Sequence, residues 1–273
     1  MSKIIDGKKI AKEIETELTS QVSLMSVPPK LSVVQIGDDP ASASYIKAKA
    51  NAASRVGIKL THHHLSKEIN INELEKLVDK LNKTEDGLII QLPIPKSLES
   101  VLERIKPEND VDGFHSENLG MLVQGIHGMV PCTPAGIIEL LYRSGNDPEG
   151  KHVVVVGRST IVGTPLSLLL SQKGVDATVT LCHSRTKSLH EHCKQADILV
   201  AAVGKANMIT KDMVKPGAVI IDVGVNRTSE GLVGDVSYDV RDVASQITPV
   251  PGGVGPMTVV MLMSNTVKSA LEN

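Results

Sequence analysis

Residues 153–163, Val-Val-Val-Val-Gly-Arg-Ser-Thr-Ile-Val-Gly, constrain the fold of this 273-residue chain more than any other stretch. Four β-branched residues in succession suit a strand buried on both faces of a parallel sheet. Gly157 breaks that strand, and Gly163-Thr164-Pro165 opens the apolar run Leu166–Leu170, with the proline well placed in a first helical turn. A strand, a glycine turn and a helix start together make an anion site, because free backbone N–H groups and the helix dipole favour negative charge there. The spacing is G-R-S-x-x-x-G rather than G-x-G-x-x-G, so an ordinary βα turn stays open on these residues alone.

The next strand says which dinucleotide such a turn would hold. In NAD sites an acidic residue about 20 positions on binds the ribose diol. Here Thr178–Leu181 runs into Cys182-His183-Ser184-Arg185 with no carboxylate. Arg158 in the turn, with Ser184 and Arg185, supplies charge and a hydroxyl where a ribose phosphate would sit. The pattern favours NADP, although a solvated surface charge is the commonest fate of a lone arginine such as Arg185.

The rest of the chain alternates helical and strand patterns, which implies an α/β fold of two α/β domains with a cleft between them, the second a Rossmann-like parallel sheet. Ile10, Ile14, Leu18 and Val22 mark an amphipathic helix; Leu31–Ile36, Thr61–Leu65 and 87–92 read as strands of a first, smaller sheet. Helices follow from about 41 to 56, stopped by Gly57, and after Asn70, a candidate N-cap, with Leu74, Leu77, Val78 and Leu81. Strands near 153–156, 178–181, 198–203 and 219–223 form the second set. The joint falls at Thr133-Pro134, an N-cap and first-turn proline, giving domains 1–133 and 134–256 with a last helix, 257–273, packing back on the first.

Composition removes several function classes. The net charge is −2 with basic residues scattered, and the aromatics are one Phe and three Tyr with no Trp. Neither an electrostatic footprint nor a stacking platform for nucleic acid follows. No apolar run approaches the roughly 18 residues of a membrane span, and the N-terminus lacks a signal-peptide core. Cys132, Cys182 and Cys193 are odd in number and lack metal-ligand spacing, as for reduced thiols in a cytoplasmic protein. Three consecutive histidines, His62-His63-His64, alternate faces on a strand and cannot easily converge on one metal ion.

At the carboxyl ends of the strands, polar residues are candidates for chemistry. Tyr45 and Lys49 lie four apart on one helix and share a face. A phenol there could stack on a planar substrate and the amine act as a base, but spacing alone fits a snorkelling lysine beside a half-buried tyrosine better. Gln91 ends an apolar strand and needs partners from backbone or site. In Asp110-Val-Asp112-Gly113 one carboxylate can cap a turn while the other accepts from an amidine-like ligand. Pro251-Gly252-Gly253-Val-Gly-Pro256 allows close backbone approach to a ligand, or a tight turn before a helix. Gly204-Lys205-Ala206 ends a strand where a nicotinamide could border it.

Six motifs in order, Tyr45-Ile-Lys-Ala-Lys49, Gln91-Leu-Pro-Ile-Pro95, Asp110-Val-Asp-Gly113, Pro131-Cys-Thr-Pro134, Gly157-Arg-Ser-x-x-Val-Gly163 and Pro251-Gly-Gly-Val-Gly-Pro-Met-Thr258, span almost the whole chain. Together the chain resembles the bifunctional methylenetetrahydrofolate dehydrogenase/cyclohydrolase family. The resemblance implies NADP-dependent oxidation of methylene-tetrahydrofolate, hydrolysis of the methenyl product to formyl-tetrahydrofolate, no metal, and a homodimer. It implies that Tyr45 packs against the aminobenzoyl ring, that Lys49 is the central catalytic residue held by Gln91, and that Asp112 anchors the pterin. Pro251, Gly252 and Gly253 would line the folate side. Gly157, Arg158, Ser159 and Ile161 would hold NADP, with Ser184 and Arg185 near its ribose phosphate and Gly204 beside it. Asn51 and Met121 depart from the family pattern, which more often has lysine and arginine there. Two other readings compete: a shikimate-dehydrogenase-like enzyme, which leaves Tyr45, Gln91 and Asp112 unexplained, and a catalytically silent NADP sensor, which would not need Lys49.

Overall fold

In the computed structural model, residues 2–126, 128–229 and 231–272 are described, Pro40 and Ala41 by their backbone alone. In chain order the elements are β1 (Lys3–Ile4), α1 (Gly7–Val22), β2 (Lys30–Ile36), α2 (Pro40–Val56), β3 (Lys59–Leu65), α3 (Ile71–Thr84), β4 (Gly87–Ile90), α4 (Ser116–Gln124) and α5 (Cys132–Arg143). There follow β5 (His152–Val156), α6 (Gly163–Ser171), β6 (Thr178–Cys182), α7 (Leu189–Lys194), β7 (Ile198–Ala201), β8 (Val219–Asp222), β9 (Asn226–Thr228), β10 (Gly231–Val233), β11 (Gln246–Ile247) and α8 (Val254–Glu272). By its internal contacts the chain divides into two units, Lys12–Cys132 with Val259–Asn273, and Met1–Ala11 with Thr133–Thr258.

The unit built on Lys12–Cys132 contains a three-stranded parallel sheet in the order β3-β2-β4. Central β2 is buried from Leu31 to Ile36, as a strand paired on both sides and covered on both faces must be. Helix α3 buries Leu74, Val78 and Leu81 at helical spacing, and Asn70 caps it by accepting from the Glu73 N–H at 3.0 Å. These residues join Val34, Ile36, Leu88, Ile90, Leu98 and Val101 in one apolar cluster. The histidines of β3 obey the strand alternation. His62 and His64 stack on one face, their rings 5.9 Å apart, while His63 reaches Ser32 Oγ at 3.1 Å.

The second unit carries a six-stranded, all-parallel sheet in the order β1-β11-β8-β7-β5-β6. Val153 to Val156 are fully buried, with β6 on one side and β7 on the other. Residues 1–11 lie in this unit although sequence patterning grouped them with the first domain. The reason is β1, which pairs Lys3 with Gln246 and Ile4 with Ile247. Two residues are too short a strand to show a period. Helices α1 and α8 each contribute residues to both units, so the apolar stripe of α1 reads as continuous while its contacts change at Ala11–Lys12. Strand ends also differ from the sequence reading: β4 stops at Ile90, before Gln91, β7 and β8 stop at Ala201 and Asp222, and β6 runs one residue further, to Cys182.

Candidate functional site

Helix α2 starts where Asp39 accepts from the Ser42 N–H at 2.8 Å, and ends at Gly57 with φ +93°. Its turn-to-turn spacing places Tyr45 and Lys49 on one face. Tyr45 is half exposed, whereas Lys49 is only 9% exposed. The chain leaving β4 brings up Gln91, whose N–H donates to the Val34 carbonyl at 2.8 Å. Lys49 Nζ donates to Gln91 Oε1 at 3.0 Å, and Gln91 Nε2 donates to the Leu92 carbonyl at 3.0 Å. Both ends of the Gln91 amide are therefore committed, and the oxygen is fixed as the lysine's acceptor. A neutral partner orients the amine without locking it into an ion pair.

The two carboxylates of Asp110-Val-Asp112-Gly113 separate in role. Asp110 is 5% exposed and accepts from the His115 N–H at 2.8 Å and Asn118 Nδ2 at 3.0 Å. Burial nevertheless holds its carboxyl above the usual range. Asp110 thus caps the turn that precedes α4, while Asp112 stays partly exposed. Beneath this loop sits Cys132, whose Sγ donates to the Val111 carbonyl at 3.2 Å. Burial pushes its thiol well above the ordinary value, the Asp112 charge adds to the rise, and the Lys49 charge opposes it. The charges of Lys49 and Asp112 thus act on one buried sulfur.

In the other unit a cavity of about 530 Å³ opens over the carboxyl ends of β5, β6 and β7, where the strand order reverses direction about β5. Gly157, Arg158, Ser159, Ser184 and Lys205 are among its lining residues. A Cβ at Gly157 would meet the Ala202 carbonyl, and one at Gly163 would meet the Gly157 carbonyl. The two glycines let the turn fold tightly onto the helix start, which leaves a cradle for an anionic group. Ser159 Oγ accepts from the Val162 N–H at 3.1 Å, and Thr164 Oγ1 donates to the Arg158 carbonyl at 3.1 Å. Across β6, Arg185 N–H donates to His183 Nδ1 at 3.1 Å and His183 N–H to Thr186 Oγ1 at 2.8 Å, shaping the turn that presents Ser184. These residues fit a phosphorylated dinucleotide: a close-packed glycine turn, a hydroxyl, and an arginine unattached to any carboxylate by a described ion pair.

Residues 131–273 match the family model "Tetrahydrofolate dehydrogenase/cyclohydrolase, NAD(P)-binding domain", and residues 5–112 match its "catalytic domain". The chain belongs to the tetrahydrofolate dehydrogenase/cyclohydrolase family. Among curated members of the family, the bifunctional protein FolD of Brevibacillus brevis is 52% identical over 98% of this chain and 96% of its own. The crystal structure of bifunctional FolD from Campylobacter jejuni superposes with a TM-score of 0.96 at 42% identity, covering 100% of this chain and 99% of that one. The Trypanosoma brucei FolD structure, complexed with NADP cofactor and inhibitor, gives a TM-score of 0.92 at 38% identity over 100% and 99%.

Within this family frame the structure groups Tyr45, Lys49, Gln91 and Asp112 in one unit and Gly157, Arg158, Ser159 and Ser184 around one cavity in the other. Ile161 is 41% exposed on the turn, and Arg185 is exposed beside the cavity; neither is among its lining residues, nor is Gly204, whose neighbours Val203 and Lys205 are. Pro251, Gly252 and Gly253 fold in the second unit against α1, where the Lys8 N–H donates to the Gly252 carbonyl at 3.1 Å. The run packs closely on the start of α1, since a Cβ at Gly7 would meet the Gly253 carbonyl. Sequence reasoning missed Asn265, whose Nδ2 donates to the carbonyls of Val111 and Val130, both at 2.9 Å, and so ties down the Asp112 loop. An asparagine soon after the apolar run Val259-Val-Met-Leu-Met263, on a helix rich in buried apolar residues, was the available signal. It also missed Asp222 and Asp235, two buried carboxylates.

Proposed function

We propose that this chain oxidises 5,10-methylene-tetrahydrofolate with NADP and hydrolyses the resulting 5,10-methenyl-tetrahydrofolate to 10-formyl-tetrahydrofolate. The observation that carries this reading is the 3.0 Å hydrogen bond from Lys49 Nζ to Gln91 Oε1, which fixes a nearly buried amine on the face of α2 that also bears Tyr45. A bound NADP supplies the acceptor for the hydride leaving the methylene carbon. Arg158, Ser159 and Ser184 would hold its ribose phosphate, and the glycine turn its pyrophosphate, by charge-assisted and backbone hydrogen bonds. Tyr45 would pack on the aminobenzoyl ring, and the Asp112 carboxylate would accept from the amino-pyrimidine edge of the pterin.

Oxidation leaves a resonance-stabilised cation, which needs orientation more than acid–base help. Hydrolysis needs both. Water adds to the methenyl carbon and loses a proton; the carbinol then collapses as its C–N bond breaks and that nitrogen takes a proton, so one proton is released overall. Lys49, steered by Gln91, would carry protons between water, nitrogen and solvent.

The test is an absorbance assay of NADPH formation from methylene-tetrahydrofolate, run beside hydrolysis of added methenyl-tetrahydrofolate. Lys49→Ala is expected to abolish hydrolysis while leaving NADP binding nearly unchanged; hydrolysis at the parent rate removes Lys49 from its role, and no folate-dependent NADPH from the parent removes the reading. We propose further that the protein is cytoplasmic and a homodimer. Three free, buried thiols suit a reducing compartment, and β3 is an edge strand of seven residues in its sheet. Sedimentation equilibrium decides the second point.

A further inference from the structure

The loop after β7, Val203-Gly204-Lys205, turns three successive backbone N–H groups toward one point. Such a nest ordinarily receives an anion from outside the protein. Here the chain fills it with its own carboxylate. Asp235 Oδ2 accepts from Val203 N–H at 2.7 Å and Gly204 N–H at 2.9 Å, and Oδ1 accepts from Lys205 N–H at 2.8 Å. A fourth donor, Asn226 Nδ2, reaches Oδ1 at 2.9 Å. Asp235 is 0% exposed, so these four donors stand in for the water its oxygens lack.

Asp235 arrives by way of a short hairpin. Strands β9 and β10 pair antiparallel, Asn226 opposite Val233, and deliver Gly234-Asp235 beneath the loop. A second buried carboxylate holds the delivery: Asp222, at the end of β8, accepts from the N–H groups of Asp235 at 2.9 Å and Val236 at 3.1 Å. Two glycines make room. A Cβ at Gly224 would overlap the Asp235 carboxylate, and one at Gly234 would overlap that of Asp222. The loop so held supplies Val203 and Lys205 to the wall of the 530 Å³ cavity.

We propose that Asp235 is a positioning residue for the cofactor, an internal anion that sets the backbone of Val203–Lys205 in the shape the dinucleotide requires. The proposal rests on the reading of that cavity as the NADP site. Asp235 touches no cofactor atom; it acts through three backbone N–H groups. Replacing it with asparagine keeps the shape but turns one acceptor into a donor facing N–H groups, so the loop must shift.

Asp235→Asn and Asn226→Leu, which removes the fourth donor together with its long 3.5 Å contact to the Val233 carbonyl, are compared with the parent for NADP affinity by titration calorimetry, for hydrolysis of methenyl-tetrahydrofolate without NADP, and for thermal unfolding. The expected result is a rise of tenfold or more in the NADP Kd of Asp235→Asn and about threefold in that of Asn226→Leu, with hydrolysis within twofold of the parent. A purely structural carboxylate lowers the unfolding temperature and leaves the Kd of the folded variant within twofold; that outcome overturns the proposal. If Asp235→Asn does not fold, Asn226→Leu decides by the same twofold criterion. Failure of the parent itself to bind NADP is a different result, which strikes the function proposed for the cavity.

Discussion

Gly113→Ala probes how tightly the Asp112 loop is built, and Gly125→Ala is its control. Both glycines have positive φ, +76° and +68°. An alanine therefore pays the left-handed penalty at either, about 1–2 kcal/mol. Their surroundings differ. A Cβ at Gly113 would stand 2.5 Å from the Val130 carbonyl carbon, 2.6 Å from Pro131 N and 2.8 Å from Val130 O. All three are backbone atoms that cannot swing aside, and overpacking of that kind adds about 1–3 kcal/mol. At Gly125 nothing among the described residues lies within 4 Å of the built Cβ. The expected costs are thus about 2–5 kcal/mol for Gly113→Ala, summing both effects, and about 1–2 kcal/mol for Gly125→Ala. Urea unfolding followed by far-ultraviolet circular dichroism reads the difference as a midpoint lowered by roughly 1 M or more against roughly half that. The displaced Val130 carbonyl is an acceptor for Asn265, so Gly113→Ala should also raise the KM for methenyl-tetrahydrofolate while Gly125→Ala leaves it near the parent value. Equal midpoints for the two variants would refute the steric reasoning.

Three further outcomes are expected. Arg158→Ala should cost about 10–100-fold in kcat/KM for NADP, the worth of a charge-assisted hydrogen bond, and much less for NAD; an unchanged NADP-to-NAD ratio would place the phosphate elsewhere. Cys132, Cys182 and Cys193 are buried, and burial raises all three thiols, that of Cys193 to about 12, so a disulfide-exchange reagent at pH 8 should label none of them until the chain is denatured. Burial pushes Asp222 from 3.8 up to about 7, against the pull of the Asp235 and Val236 N–H groups. The folded chain then holds a proton that the unfolded chain has lost between those values, so this group's contribution to stability falls as pH rises from about 4 to about 7. Asp222→Asn removes that slope. Its stability relative to the parent should improve across the window, and a constant difference in unfolding free energy would count against the buried acid.

The chain's fold and chemistry were legible to different depths. The run Val153–Val156 announces a central parallel strand because β-branched residues without polar alternation suit burial on both faces. Asn70 with Leu74, Val78 and Leu81 announces α3, since a cap and a 3.6-residue period are local properties. Glycines at 157 and 163 and the arginine between them mark the anion turn, and Tyr45, Lys49, Gln91 and Asp112 in order carry the family resemblance.

Contacts between distant residues decided the rest. Sequence spacing left Lys49 better explained as a snorkelling surface residue; the tertiary structure buries it and puts Gln91 Oε1, 42 positions away, at its nitrogen. Strand β1 has no readable period in two residues, yet pairing with β11 takes the N-terminus into the second unit. Asp235 looks like any hairpin aspartate until folding turns Val203, Gly204 and Lys205 N–H groups onto it. Hydrophobic period and capping depend on neighbours a turn or two away, so the sequence alone determined most of the helices and the longer strands. Burial and hydrogen-bond partnership of a polar group depend on chain segments brought together only by folding, which is why the surroundings of Lys49 and Asp235 were decided by tertiary structure.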